Sequence, residues 1–164
     1  MDSNRPTIFL DLDDVMVTEG QRKMENLHPK YQRYAFDPIC VKVLNRVITL
    51  RNPQIILSSD WKEQLSLENI NEMFNEYRVQ IPVADKTTNL WKKKYTSFQQ
   101  LEECRAAEIL FYVLENKLTN WVAIDDLNLL PWLPDHFVRC PNTYEGLKQN
   151  GIIEKILNIL NNHV

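Results

Sequence analysis

The most informative stretch of the chain reads Ile8-Phe-Leu-Asp-Leu-Asp-Asp-Val-Met-Val17. Its apolar start, rich in residues that favour strands, predicts a buried strand. The carboxylates of Asp11, Asp13 and Asp14 at its end do not suit a core, because burying unpaired charge is costly. On a continuing strand Asp11 and Asp13 would point to the same side, and their hard oxygen atoms suit Mg²⁺. The alternative is a solvated acidic turn after an edge strand.

Two later apolar runs also end in polar groups, one in paired hydroxyls and the other in paired carboxylates. They read Gln54-Ile-Ile-Leu-Ser-Ser59 and Trp121-Val-Ala-Ile-Asp-Asp126. Open α/β sheets bind their ligands at the carboxyl ends of the strands. Three strands with polar groups at this end therefore predict one active site that handles phosphate and metal.

These stretches resemble the motifs of the haloacid dehalogenase (HAD) superfamily. Asp11-Leu-Asp-Asp-Val15 is similar to the first motif, Asp-x-Asp-x-Val/Thr, and Ser58 to the second, a Ser or Thr after a hydrophobic strand. Asp125-Asp126 is similar to the acidic fourth motif. For the basic third motif, the best candidate is Arg105, expected near the start of the helix that precedes the Trp121 strand.

The order and spacing of these motifs agree with the superfamily over roughly residues 7 to 160. Within it, Ser58-Ser-Asp-Trp-Lys62 resembles the Ser-Ser-x-Trp-Arg signature of small HAD domains found in bacterial RNA-repair and phosphatase contexts. The resemblance implies a Rossmann-like three-layer α/β sandwich with a parallel sheet of about five strands in the order 3-2-1-4-5. The intervals where a cap domain would be inserted are too short for one. The expectation is thus one capless HAD-like domain over residues 1–164.

The resemblance also implies a role for each matched residue. Asp11 would attack phosphorus and form an aspartyl-phosphate, and Asp13 would act as general acid and then general base. Ser58 would hydrogen-bond a phosphoryl oxygen, and Arg105 would supply positive charge to the transition state. The implied Mg²⁺ ligands are Asp11, the backbone carbonyl of Asp13, and one of Asp125 and Asp126. The further candidates for substrate contact are Ser59, Trp61 and Lys62, with core packing as the alternative for Trp61.

Position 14 departs from the family pattern, which commonly has Gly there. Asp14 would lose the backbone tolerance of Gly, and its charge would repel a phosphate. It removes no catalytic group, so the sequence predicts an altered but active site.

Helices and strands alternate along the chain, as expected for a parallel sheet with helical crossovers. Asp37-Pro38 suits a helix N-cap followed by Pro at the first helical position. The segment from Glu19 to Ala35 is predicted to be a loop or flap over the active edge. A short strand is predicted at Val79–Val83, and a helix at Leu101–Leu118.

Composition and net charge limit the number of domains, the partners and the compartment that we expect. The 164 residues, 44% of them hydrophobic, are enough for one domain that buries about two-thirds of its unfolded surface. A formal net charge of −3 gives no global attraction to nucleic acid or to anionic membranes. The three cysteines fit reduced buried thiols. With no signal peptide or membrane-spanning run, a cytoplasmic location without membrane insertion is the expectation.

The sequence therefore predicts a Mg²⁺-dependent phosphomonoester hydrolase acting on a phosphorylated macromolecule. A phosphoprotein, including phosphotyrosine, is the favoured substrate. The alternatives are a nucleic-acid 3′- or 5′-end phosphatase or nucleotidase, and a catalytically weak binding module that keeps the fold. Lys92-Lys-Lys94 would attract a phosphorylated partner or simply form a solvated loop.

Overall fold

Five parallel strands form the centre of the computed structural model, which describes residues 5–91 and 95–161. The strands are β1 (Thr7–Leu10), β2 (Gln54–Leu57), β3 (Val83–Lys86), β4 (Trp121–Asp125) and β5 (Phe137–Arg139). Their order is β3-β2-β1-β4-β5. This confirms the α/β fold and the strand order 3-2-1-4-5. It also places β1 in the middle, between β2 and β4.

Helices cover both faces of the sheet. They are α1 (Glu19–Lys23), α2 (Pro38–Arg51), α3 (Leu67–Glu76), α4 (Phe98–Asn116) and α5 (Ile152–Asn161). Short 3₁₀ turns lie at Asp60–Glu63 and Gly146–Lys148. Among the described residues, neither interval in which a cap would be inserted folds into a separate domain.

Alternation along β1 divides the core in two. Ile8 and Leu10 pack with α2, α3 and α5 on one face of the sheet. Phe9 points to the other face, towards α4, and makes edge-on contacts with Tyr112 and Trp121. Successive residues of a strand face opposite sides, so this continuous apolar run is the pattern of a strand buried on both faces. Side chains pack against β1 on both faces of the sheet, so the loop that follows β1 starts from a fixed position.

Helix caps explain two boundaries. Asp37 accepts hydrogen bonds from the backbone N–H groups of Ile39 (2.8 Å) and Cys40 (3.4 Å), which confirms the predicted start of α2. The helix α4 begins earlier than predicted, because the Ser97 hydroxyl caps it by accepting from Gln100 N–H. Arg105 therefore lies two turns into α4 rather than near its start.

The predicted strand at Val79–Val83 is wrong, since β3 begins only at Val83. Pro82 has no N–H to give to a sheet ladder. The Asn71 side chain then fastens the entry of β3: it accepts from Val83 N–H at 2.7 Å and donates to Val83 C=O at 3.0 Å. A side chain of α3 thus sets where the strand starts.

The segment between β1 and α2 holds α1 and then runs against α3, rather than forming a free flap. The His28 ring contacts Glu76 at 2.6 Å, and Lys30 forms an ion pair with Glu72 at 2.8 Å. Tyr31 donates to Asn69 at 3.2 Å. These contacts occupy the side chains that could otherwise turn to a substrate.

All three cysteines are buried and unpaired, which agrees with the predicted reduced thiols. Within residues 5–91 and 95–161, no helix combines the length and apolar character needed to cross a membrane.

Candidate active site

Three polar strand ends meet at one edge of the sheet. Asp11 follows β1, Ser58 follows β2, and Asp125 ends β4. Backbone bonds continue the ladder into this edge: Asp11 N–H donates to Ile124 C=O at 3.0 Å, and Ser58 N–H to Leu10 C=O at 2.9 Å. The parallel register therefore brings together groups that are far apart in sequence.

The carboxylates of Asp11, Asp125 and Asp126 form a compact cluster. One oxygen from each lies within 4.8 Å of the others. Asp11 is only 4% exposed and Asp125 only 1%. Burial, together with the neighbouring Asp125 charge, raises the pKa of Asp11 well above its ordinary value. Burial likewise raises the pKa of Asp125 and of Asp126.

Two backbone amides orient the buried carboxylates. Leu12 N–H donates to Asp11 Oδ1 at 2.8 Å, and Leu127 N–H donates to Asp125 Oδ1 at 3.0 Å. Three carboxylates held so close together are costly unless a cation joins them. An all-oxygen set of this kind fits a hard divalent cation such as Mg²⁺.

Arg105 brings a guanidinium to the same cluster. Its Nη1 lies 2.8 Å from Asp125 Oδ2 and 3.5 Å from Asp11 Oδ1, and it donates to Ser58 C=O at 2.7 Å. Its Nη2 donates to Asp60 Oδ1 at 2.8 Å. Although burial acts to lower it, the pKa of Arg105 is raised by Asp125, Asp11 and Asp60. Arg105 is therefore a permanently charged group fixed beside Asp11.

The hydroxyls of Ser58 and Ser59 are buried at this edge. Neither has a hydrogen-bond partner of ordinary geometry within the part of the chain that the structure describes. Ser59 is still close enough to Asp11 to oppose the rise in its pKa. A buried hydroxyl without a partner is unfavourable, so these two groups suit the oxygen atoms of a bound ligand.

Asp13 differs from Asp11, because its side chain is 49% exposed and is held by groups outside the buried cluster. The indole N–H of Trp61 donates to Asp13 Oδ2 at 2.9 Å, and Arg22 Nη2 lies 3.4 Å from Asp13 Oδ1. Trp61 is only 3% exposed and packs near Phe36. Trp61 therefore packs in the core, as the alternative drawn from the sequence predicts, and its indole N–H reaches Asp13 from inside the protein, whereas its contact with substrate stays a prediction.

Asp14 adopts the left-handed conformation, with φ of 59°, in which Gly is favoured. Its carboxylate is paired with Arg22, whose pKa rises through this contact despite partial burial. Arg22 therefore offsets the extra negative charge of Asp14. No pattern in the sequence marks Arg22, which lies in the segment predicted to be a loop or flap, and Asp60 occupies the variable position of the Ser58–Lys62 signature, to which no role was assigned.

Lys62 is the candidate that the structure does not bring to the site. Its ammonium is buried, donates to Thr87 Oγ1 at 2.8 Å and forms a close ion pair with Glu108 of α4. Burial lowers the pKa of Lys62, which Glu108 partly offsets. The 3₁₀ turn at Asp60–Glu63 carries this side chain into the interior, so its expected contact with substrate is corrected to an internal one. Lys92-Lys-Lys94 lies outside the described residues.

A cavity of about 200 Å³ opens over the cluster. Its polar lining residues are Asp11, Asp13, Asp14, Asp60, Arg105 and Asp126, and its apolar ones are Phe98, Leu101 and Leu127. Five carboxylates and one guanidinium line it, so acidic groups outnumber basic groups in its lining. A phosphate would need an added cation to bind there.

Comparison with known proteins gives one result. A family model described as the HAD domain in Swiss Army Knife RNA repair proteins matches residues 7–152. No curated protein and no solved structure matches the chain. The match spans most of the chain and includes all three strand ends of the site. The chain therefore belongs to the HAD superfamily, in the family of HAD domains of Swiss Army Knife RNA repair proteins.

Proposed function

We propose that the chain is a Mg²⁺-dependent phosphomonoester hydrolase that acts on a phosphorylated nucleic-acid end. The observation that carries this proposal is the buried cluster of Asp11, Asp125 and Asp126 around Arg105, under a cavity that also exposes Asp13. A nucleophile, a separate acid and base, a fixed cation and a set of metal ligands are thereby brought together.

Asp11 is the nucleophile in this proposal. Leu12 N–H holds Oδ1, so Oδ2 is the oxygen that we assign to attack. A bond forms between Oδ2 and phosphorus, while the bond between phosphorus and the leaving oxygen breaks. Water then attacks the aspartyl-phosphate, which releases inorganic phosphate and restores Asp11.

Asp13 is suited to move the protons. Its half-exposed carboxyl can give a proton to the leaving oxygen and then take one from the attacking water. Trp61 and Arg22 hold the two oxygens of this carboxyl. The buried Asp11 and the exposed Asp13 therefore have environments that suit different roles, as two catalytic carboxylates require.

Asp11 and one or both of Asp125 and Asp126 would hold the Mg²⁺ ion, together with the backbone carbonyl of Asp13, which the resemblance implies as a ligand. The ion supplies charge neutralisation, which lets an anionic nucleophile approach an anionic phosphate. Arg105 adds fixed positive charge beside Asp11. The hydroxyls of Ser58 and Ser59 are the donors that we assign to phosphoryl oxygens.

The family supports a nucleic-acid end as substrate, because its description names RNA repair proteins. The preference for a phosphoprotein drawn from the sequence finds no support in the comparisons. The phosphoprotein therefore becomes the competing substrate that an experiment must test.

The test is a set of hydrolysis assays with and without Mg²⁺, on oligonucleotides phosphorylated at the 3′ or 5′ end and on a phosphotyrosyl peptide. We expect Mg²⁺-dependent release of phosphate, fastest from an oligonucleotide end, and none from an Asp125→Asn/Asp126→Asn variant at the same Mg²⁺ concentration. Undiminished hydrolysis in excess chelator would contradict the metal role. A faster rate on the peptide would instead support the phosphoprotein.

A further inference from the structure

One wall of the active-site cavity is apolar. Phe98 and Leu101 lie on the first turn of α4 and line this wall, and Leu127, which follows β4, also lines the cavity. The same Phe98 and Leu101 line a second groove, of about 330 Å³, with Tyr95, Thr96 and Ser97. The cavity over the carboxylates and this second, largely apolar groove thus share Phe98 and Leu101 as lining residues.

Phe98 is 78% exposed, the largest exposed fraction among the large hydrophobic side chains of the described residues. An exposed aromatic ring gains nothing from folding, and an apolar surface that lines a binding cavity marks a place where a ligand packs. The position of Phe98 follows from the cap of α4: Ser97 accepts from Gln100 N–H at 3.2 Å, which makes Phe98 the first helical residue.

Hydrogen bonds hold the segment that precedes α4 and lines the groove. Thr96 donates to Gln100 Oε1 through its N–H at 2.9 Å and through its hydroxyl at 2.7 Å. The Tyr95 hydroxyl lies 3.7 Å from Cys104 Sγ, and burial raises the pKa of Tyr95, which keeps its phenol neutral. These hydrogen bonds tie the residues before Phe98 to the first turns of α4.

We propose that Phe98 and Leu101 form a stacking platform for the base of the nucleotide that carries the phosphate. The inference rests on the proposed function and names the part of the substrate that lies outside the carboxylate cluster. A nucleotide has two parts that match this cavity. Its anionic phosphate would bind over the carboxylates and Arg105, and its flat aromatic base would pack against the apolar wall formed by Phe98 and Leu101. Bases stack on aromatic side chains without sequence preference, because every base has a π-face.

The platform also distinguishes classes of substrate. A phosphoserine has no ring to place against Phe98, whereas a phosphotyrosine places a ring directly on the phosphate. Leu127, in the segment after β4, lines the same cavity as Phe98 and Leu101 of α4.

The experiment compares two oligonucleotide ends that differ only in the nucleotide bearing the phosphate: one keeps its base and the other has a base-free sugar. For the wild type with Mg²⁺, we expect kcat/KM to be about tenfold higher with the base, which corresponds to ~1.4 kcal/mol of stacking. Phe98→Ala should lose most of this preference, so that its kcat/KM falls much more on the base-bearing end than on the base-free end. Phe98→Tyr should retain the preference.

The matched control is Phe111→Ala, which removes a 39% exposed ring from the same helix at a site that does not line the cavity. It should leave both rates unchanged. Equal wild-type rates on the two ends, or an equal loss on both in Phe98→Ala, would overturn the platform. A loss confined to a phosphotyrosyl peptide would assign the ring to a protein substrate and would also overturn it.

Equilibrium binding separates the failure of this inference from the failure of the proposed function. The Asp11→Asn variant and Asp11→Asn/Phe98→Ala are titrated with the two ends in the presence of Mg²⁺, where no turnover is needed. If the wild type hydrolyses no substrate, the proposed function fails. The platform fails separately if Phe98→Ala does not weaken binding of the base-bearing end relative to the base-free end.

Discussion

Two groups of charges, one around the buried Arg105 and one around the buried Lys62, join the segment after β2 to helix α4, and they differ in their balance. Arg105 forms ion pairs with Asp11, Asp60 and Asp125, and Asp126 adds a further carboxylate to the cluster. The other group is one ammonium and one carboxylate, Lys62 and Glu108, with exposed side-chain fractions of 4% and 5%.

The difference separates a pair that needs no further partner from a cluster that we propose to be functional. A balanced buried pair with its hydrogen bonds made needs nothing further, and Lys62 with Glu108 also has Thr87 and Leu90 N–H as partners. The cluster around Arg105 has a surplus of negative charge that only an added cation offsets. Strongly shifted carboxylates in a cavity are typical of functional sites.

The largest effect is expected for Asp11→Asn. A neutral amide cannot serve as this nucleophile, so turnover should fall below detection. Stability without metal should stay the same or rise, since the change removes one of the crowded charges. Phosphate release and thermal melting in chelator measure both. Near-wild-type activity in this variant would mean that Asp11 is not the nucleophile.

Arg105→Ala is expected to lower kcat by about 10²- to 10³-fold, because a fixed charge beside a transferring phosphoryl group acts mainly in the transition state. Lys93→Ala should alter only the salt dependence or the substrate preference, through screened attraction. Steady-state kinetics at two ionic strengths measure this contrast. If the lysine variant loses kcat while Arg105→Ala retains it, the basic motif belongs to the stretch Lys92-Lys-Lys94.

Lys62→Met tests the balanced pair. It leaves Glu108 buried without its cation, and the free energy of unfolding should fall by about 3–5 kcal/mol. The double variant Lys62→Met/Glu108→Leu should recover most of this loss, since it leaves no unpaired charge. Urea unfolding of both variants measures the difference. An unchanged stability in the single variant would show that the pair is not balanced as described.

Trp61→Phe is expected to have the smallest effect, about a tenfold fall in kcat with little change in KM. The substitution keeps an aromatic ring against Phe36 and removes only the N–H that holds Asp13. Because Asp13 is the proposed acid and base, a displaced carboxyl should lower kcat rather than weaken substrate binding. A fall in stability with an unchanged kcat would assign Trp61 a packing role alone.

Local sequence patterns were sufficient for the strands and for the groups that directly follow them. Apolar runs that end in Asp11, Ser58 and Asp125 predict both the sheet and the edge where the site lies, because strand ends in a parallel sheet share one side. The strand predicted at Val79–Val83 was wrong for two reasons. Pro82 is a local reason because it has no N–H for the sheet, and the Asn71 side chain is a distant one because it fixes the start of β3 at Val83. The start of α4 was misplaced because Phe98 is apolar yet exposed.

Contacts between distant segments were decided by the tertiary structure alone. Trp61 lies 48 positions from Asp13 in the chain, and Lys62 lies 46 positions from Glu108. Trp61 and Lys62 are neighbours in one 3₁₀ turn. The Trp61 side chain contacts Asp13 at the candidate site, whereas the Lys62 side chain contacts the internal carboxylate of Glu108. No sequence periodicity distinguishes these two directions. The sequence by itself determined the fold, its superfamily and the carboxylates at the strand ends, since these depend on local apolar runs and fixed spacing. Which charges are balanced, and which remain in surplus for a metal, depends on packing that brings separate elements together.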